Sequence, residues 1–281
     1  MPSTMVQSGP HCPTFDLIRN LVIFGDSYCD VDYKRTSPRP TQEEPLGVKF
    51  PGVPFVEDGK PNWIGHLLNM DISSPRKLVY NFATGGDRVP GVGLQIENRF
   101  LCMDGVGTKP NWLSSQWSET DTLFVTWVGI NDLVLLHRFL RMAEQGLEQT
   151  ITLLFGYQED LYKAGARNFL FFDIPPIYRC PWFQGSKPVK QSLIVQWNEI
   201  LMNKARSFAN EHPDITVLVF SSWDTFTRVL DDPVTAMFDV DDPSKKGGIW
   251  FDELHPTSKM HEIIARDLYS FLSVLSVANP M

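Results

Sequence analysis

The sequence predicts an α/β protein, a three-layer α/β/α sandwich around a mostly parallel sheet of five strands. Three observations predict it. Short runs rich in β-branched and aromatic residues recur along the chain, and helical patterns separate them. Each run leaves through a turn signalled by glycine, asparagine or proline. No repeat, low-complexity tract or linker divides the 281 residues, so residues 19–281 read as a single domain behind an N-terminal extension of residues 1–18.

The first strand is Leu21-Val22-Ile23-Phe24, an apolar run that stops at Gly25. Residues 31–61 follow as an irregular stretch holding Pro38, Pro40, Pro45, Pro51 and Pro54. Prolines at that density forbid long helices. A loop of that length inside a domain is usually functional, and this one is expected to wall a substrate pocket. A helix is expected over 62–70 and a second strand over 77–81, leaving through Thr84-Gly85-Gly86-Asp87. Val92, Ile96 and Phe100 give residues 91–101 helical spacing. Residues 122–128 are the third strand, and 133–164 a long helix broken near Gly146. The fourth strand, 168–172, exits through Ile174-Pro175-Pro176. A helix over 192–211, a fifth strand over 215–220 and a closing helix over 256–277 complete the pattern.

Composition narrows the function. Hydrophobic content of 43% is ample for a core, and the formal net charge of −8 argues against a nucleic-acid partner, which needs a basic face. No apolar stretch approaches a membrane span; Arg266, Asp267 and Ser270 interrupt the most apolar helix. Residues 1–20 lack the apolar centre of a signal peptide, so an intracellular protein is expected, or a secreted one whose signal has been removed. Cys12, Cys29, Cys102 and Cys180 have no C-x-x-C spacing and are expected to be separate thiols.

Chemistry is signalled by three short motifs that follow predicted strands or precede the last helix. Gly25-Asp26-Ser27 sets a serine at the carboxyl end of the first strand, where open α/β sheets keep their crevices. No G-x-S-x-G elbow occurs, so the common α/β-hydrolase arrangement is not the pattern. An acyl-transfer serine needs a base, a group that orients the base, and oxyanion donors. His255 can be the base, and Asp252, three residues before it, can take the imidazole's other N–H. The donors would be the backbone N–H groups of Ser27 and Gly86 and the side-chain amide of Asn131. Taken singly, each motif reads as a turn, a helix cap or a surface pair. Their joint occurrence, in order and after predicted strands, is what favours catalysis.

These residues resemble the SGNH hydrolases, also called GDSL esterases, whose markers are Ser, Gly, Asn and His in that order. The matching positions are Ser27 in Phe24-Gly25-Asp26-Ser27, Gly86 after Asn81-Phe82-Ala83-Thr84-Gly85, Asn131 in Gly129-Ile130-Asn131-Asp132, and His255 in Asp252-Glu253-Leu254-His255-Pro256-Thr257. The resemblance implies a flavodoxin-like sandwich, Ser27 as nucleophile, His255 as base, Asp252 completing the triad, and Ser27, Gly86 and Asn131 as oxyanion hole, with no cofactor and no metal. Tyr28 stands where the family name has leucine, and Asp87-Arg88 places a charged pair at the oxyanion turn. Gly107-Thr108-Lys109-Pro110, Trp127-Val128-Gly129, Ile174-Pro175-Pro176 and Trp250-Phe251-Asp252 resemble the fungal acetylesterase branch that acts on carbohydrates.

The expected function is therefore hydrolysis of short acyl or acetyl esters, on a small-molecule or carbohydrate ester, through an acyl-enzyme on Ser27. The alternative is an intracellular acyltransferase or esterase of a biosynthetic pathway with the same machinery. Asp26 is expected to hold turn N–H groups, and Asp30, Asp32 and Asp87 to be solvated loop carboxylates and not metal ligands. Of eight tryptophans, Trp182 and Trp250 are the two expected near the pocket. His66, His137 and His261 read as helix-face residues, and His11 and His212 as loop residues.

Overall fold

The computed structural model describes residues 1–71, 75–101, 117–138, 143–184 and 190–275. Cys102, Gly107-Thr108-Lys109-Pro110 and the side chain of His137 lie outside the described residues.

In chain order the elements are strand β1 (Thr4–Gln7), β2 (Asn20–Gly25), helix α1 (Trp63–Met70), β3 (Leu78–Asn81), α2 (Val89–Leu94), β4 (Thr122–Trp127), α3 (Ile130–Arg138), α4 (Ala143–Lys163), β5 (Asn168–Phe172), α5 (Gln191–Glu211), β6 (Thr216–Phe220), α6 (Ser222–Asp231) and α7 (Ser258–Leu275). They form one sheet ordered β1-β6-β5-β4-β2-β3. The five expected strands are there and mutually parallel. A sixth, β1, was not expected; it pairs antiparallel with β6, Thr4 opposite Val219. Its sequence, Thr4-Met5-Val6-Gln7, is short and only half-buried, so it carries little of the hydrophobic signal by which strands are read.

Every residue of β2, β4, β5 and β6 is buried, which requires cover on both faces and explains why these strands read as continuous apolar runs. Each fully buried Val, Leu, Ile or Phe contributes about 1.5–3 kcal/mol, so these strands dominate the core. Helices α1 and α6 pack on α7, while α2 and α5 pack on α4. Stacked Trp127 and Phe172, 4.5 Å between centroids, with Trp63 against both, form the aromatic centre beneath the carboxyl ends of β4 and β5.

Local chemistry sets the element ends. Asn62 caps α1 by accepting from the Ile64 N–H at 3.1 Å. Helix α2 starts at Val89, two residues before the expected start, with Pro90 in its first turn, and continues as a π-helical turn over Gln95–Phe100. The helix α6 between β6 and the histidine loop was not anticipated; Ser221 caps it by accepting from the Asp224 N–H.

Candidate active site

Three turns leave the carboxyl ends of adjacent parallel strands. Ser27 lies two residues beyond β2, Gly86 five beyond β3, and Asn131 four beyond β4. Because β2 lies between β3 and β4, the serine is flanked by the other two turns. The histidine arrives from the far end of the chain, in the loop before α7.

The Ser27 hydroxyl lies 2.9 Å from Nε2 of His255, and His255 Nδ1 lies 2.7 Å from Asp252 Oδ2. The other oxygen of Asp252 accepts the backbone N–H groups of Leu254 and His255, each at 2.7 Å. Partial burial pushes the Asp252 carboxyl up, but those N–H bonds and the imidazole outweigh it and hold it below its ordinary value. Asp252 is thus an ionised acceptor with one oxygen fixed by the loop and the other on the imidazole. That leaves Nε2 facing the serine.

Gly86 adopts a φ of +81°, a left-handed conformation that glycine takes without strain, and a Cβ there would meet nothing within 4 Å. Among the described residues, neither the Ser27 nor the Gly86 N–H has an acceptor inside the protein. Asn131 lies in the first turn of α3, and its side-chain amide bonds to groups outside that helix. Nδ2 donates to the Asp87 carbonyl at 3.0 Å, while its contact to Asp26 Oδ2 is 3.5 Å, at the limit of a hydrogen bond. One amide N–H is therefore anchored and the other weakly engaged. Asp26 is fully buried beneath them; burial pushes its carboxyl up to about 7, with the Tyr28 N–H opposing and Asp132, Asp87 and Asp30 adding to the rise. It accepts the Tyr28 N–H at 3.1 Å, the turn-holding role expected of it.

Several supporting residues escaped the sequence reading. The Gln95 amide, in the π-helical turn, accepts from Gly25 N–H at 2.9 Å and donates to Gly25 C=O at 2.8 Å and to Asp87 Oδ2 at 2.7 Å. It completes the end of β2 and ties it to the turn that holds Gly86. Arg99 donates to the carbonyls of Phe82 and Tyr33 and to the Thr84 hydroxyl, joining that turn to the proline-rich loop. Asp30 is no solvated carboxylate: it accepts the N–H groups of Asp32 at 2.7 Å and Gly85 at 2.8 Å. Phe55 of the proline-rich loop stacks on the His255 ring, centroids 4.9 Å apart, so the loop does reach the site.

Of the two tryptophans expected near the pocket, Trp250 is fully buried against Phe226 with its indole N–H on the Pro243 carbonyl. Proximity to Asp252 in sequence misled, because its ring turns into the core. Trp182 is half-exposed, and its backbone N–H donates to the carbonyl of Glu253 beside Asp252. His66, on α1, lies 2.9 Å from the Ser258 hydroxyl, and His261, on α7, is buried. His212 follows α5 and lies 2.6 Å from Glu159. Cys12, Cys29 and Cys180 are free. Among the described residues no helix is long and apolar enough to cross a membrane.

Residues 21–268 match the family model of the GDSL-like lipase/acylhydrolases. An acetylesterase of Thermothelomyces thermophilus is 28% identical over 267 residues, spanning 88% of this chain and 85% of that protein. Among solved structures, Axe2, an acetylxylan esterase from Geobacillus stearothermophilus, aligns with a TM-score of 0.57 at 15% identity, covering 96% of each chain. LAE5, an α/β hydrolase enzyme from the metagenome of Lake Arreo, Spain, aligns with a TM-score of 0.54 at 15% identity, covering 95% of this chain and 99% of that one.

Proposed function

The chain belongs to the GDSL-like lipase/acylhydrolase family, the SGNH hydrolases, and is an ester-hydrolysing enzyme; from that premise we propose that it cleaves short acyl esters, acetyl esters first among them, through an acyl-enzyme on Ser27. The observation that carries this reading is the unbroken chain Ser27 Oγ, His255 Nε2, His255 Nδ1, Asp252 Oδ2, with links of 2.9 and 2.7 Å.

In this mechanism His255 takes the Ser27 proton as Oγ attacks the ester carbonyl. The carbonyl oxygen becomes an oxyanion facing the N–H groups of Ser27 and Gly86 and the weakly engaged N–H of the Asn131 amide. Collapse expels the alcohol, which takes the proton from His255 and leaves the acyl group on Ser27. Water then attacks that ester while His255 again removes a proton, and the second collapse returns the serine with release of the acid. All the groups required are protein groups, so no metal enters the steps.

The acceptor favoured is water over a second alcohol. The relatives are named for ester hydrolysis: an acetylesterase, and an acetylxylan esterase solved in catalytic-mutant forms that replace a serine, an aspartate and a histidine. An acetylated carbohydrate is accordingly the substrate class we propose.

A serine-directed phosphonate tests the assignment. It should label the protein covalently, and peptide mass spectrometry should place the adduct on Ser27. An adduct found only elsewhere, or full activity in Ser27→Ala against p-nitrophenyl acetate, refutes it.

A further inference from the structure

We propose that Phe55 is a positioning residue for His255, holding the imidazole in line with Ser27 from the face opposite the protein core. The inference rests on the reading of His255 as the base.

Three observations place Phe55 in that role. Its ring lies almost parallel to the imidazole, 26° between planes and 4.9 Å between centroids, an offset stack and not a casual edge contact. Tyr28 also contacts the same imidazole, tilted at 53° and 6.0 Å away, and is itself buried. The histidine ring therefore touches one buried and one half-exposed aromatic residue. The Nδ1 bond to Asp252 fixes one atom of that ring, but a ring pinned at one atom can still tilt about the bond. A flat neighbour opposes the tilt.

Phe55 is also fixed from its own side. Two residues further along the loop, Glu57 accepts the backbone N–H of Ser258 at 2.8 Å, at the start of α7. Ser258 lies three residues beyond His255. The loop thus meets the histidine segment twice, by ring stacking at Phe55 and by a charge-assisted hydrogen bond at Glu57. The far end of the Phe55 ring rests on Gly85: a Cβ built there would come within 2.5 Å of the phenyl carbons. A side chain at Gly85 would displace this ring, and the ring spans from His255 to the turn that presents Gly86.

Phe55 remains 40% exposed. It lies on the solvent side of His255, where the imidazole would otherwise be open to water. Both half-reactions use His255, so a loss of its alignment lowers turnover whichever half limits the rate.

The test is steady-state kinetics of Phe55→Ala, Phe55→Leu and Phe55→Tyr on p-nitrophenyl acetate, with thermal unfolding as the control for folding. Phe55→Ala should lower kcat roughly two- to tenfold, the worth of one aromatic pair, with KM within about twofold. Phosphonate labelling of Ser27, which needs the base but no deacylation, should slow by the same factor. Phe55→Tyr should restore the rate, while Phe55→Leu, which fills space without a flat face, should not. Unchanged kcat and labelling rate in Phe55→Ala overturn the proposal, as does a raised KM with kcat intact, which makes Phe55 a substrate contact only. Equal rescue by Phe55→Leu overturns it too, because bulk would then suffice. His255→Ala in parallel separates this failure from the larger one: if that variant keeps full activity, the assignment of the base itself is wrong.

Discussion

The hydroxyl of Tyr28 donates to the backbone carbonyl of Leu254 at 2.7 Å. Tyr28 follows Ser27 and Leu254 precedes His255, so one part-buried bond ties the residue after the proposed nucleophile to the residue before the proposed base. Leucine at this position would pack but could not make the tie.

Tyr28→Phe keeps the ring against Trp127, 5.3 Å away, and removes only the hydroxyl. A lost hydrogen bond with an orphaned carbonyl costs about 1–2 kcal/mol. The Ser27–His255 distance is then set more loosely, and kcat should fall about tenfold, since misplacement of reacting groups by a fraction of an ångström is felt strongly. Equilibrium unfolding and turnover measured on the same preparation check both; a stability loss with normal kcat would make Tyr28 a packing residue alone.

Asn131 should act on the transition state and hardly on ground-state binding. Loss of one oxyanion donor costs about 2.7–4 kcal/mol, a fall of roughly a hundred- to a thousandfold in kcat. Asn131→Ala should show that fall with KM within about threefold. Asn131→Asp should be at least as harmful, because it sets a carboxylate beside the oxyanion and above buried Asp26. Near-normal kcat in folded Asn131→Asp would remove Asn131 from the oxyanion hole.

Gln95→Leu leaves the buried N–H of Gly25 without its acceptor and removes one of two donors to the Gly25 C=O, which keeps the Thr84 N–H. At about 1–3 kcal/mol for an orphaned group, the loss should be about 1–3 kcal/mol of stability. Activity should fall too, because Asp87 loses a donor and the Asp87 carbonyl is what anchors Asn131. Denaturant unfolding of the variant gives the first figure directly; a change below 0.5 kcal/mol, on the order of an ordinary surface substitution, would contradict the clamp.

His261 sets part of the acid limit of stability. Burial first, and then the neighbouring His66 and His255, push it down to about 3 from an ordinary 6.5. Between those values the unfolded chain binds a proton that the folded protein refuses, so stability rises with pH across the window and is lost on acidification. At pH 5 the loss is about 2 kcal/mol. Asp26 has the opposite sign: raised to about 7, it favours the folded state in acid, and that benefit fades as pH rises from its ordinary 3.8. Comparing His261→Leu with wild type at pH 5 and pH 7.5 cancels the Asp26 contribution. The variant should lose about 2 kcal/mol less on acidification; equal losses would mean that His261 takes up its proton in the folded state.

The parallel strands were legible because each is a buried apolar run closed by a turn residue, and the turns carried the candidate serine, glycine and asparagine to one edge. Asp252 and His255 were legible because their three-residue spacing suits a loop whose own N–H groups complete the carboxylate. Strand β1 was not, since four half-buried residues are recognised by the edge they pair with and not by their own pattern. Gln95, Phe55 and Glu57 were hidden for a different reason. Each makes a contact at the site that spans 30 to 201 positions of sequence, and nothing local distinguishes them from neighbours of the same type.

The bond between Ser27 and His255 closes a span of 228 positions, and β1 and β6 pair across almost as many. Such contacts are among the more distant in sequence, and they form late and slowly, because loop closure must be met before they stabilise anything. During synthesis the strand that leads into Ser27 is finished long before His255 is made. Regained esterase activity in refolding is therefore a report on the last long-range docking event, not on early formation of the sheet. It should lag behind the recovery of helical signal.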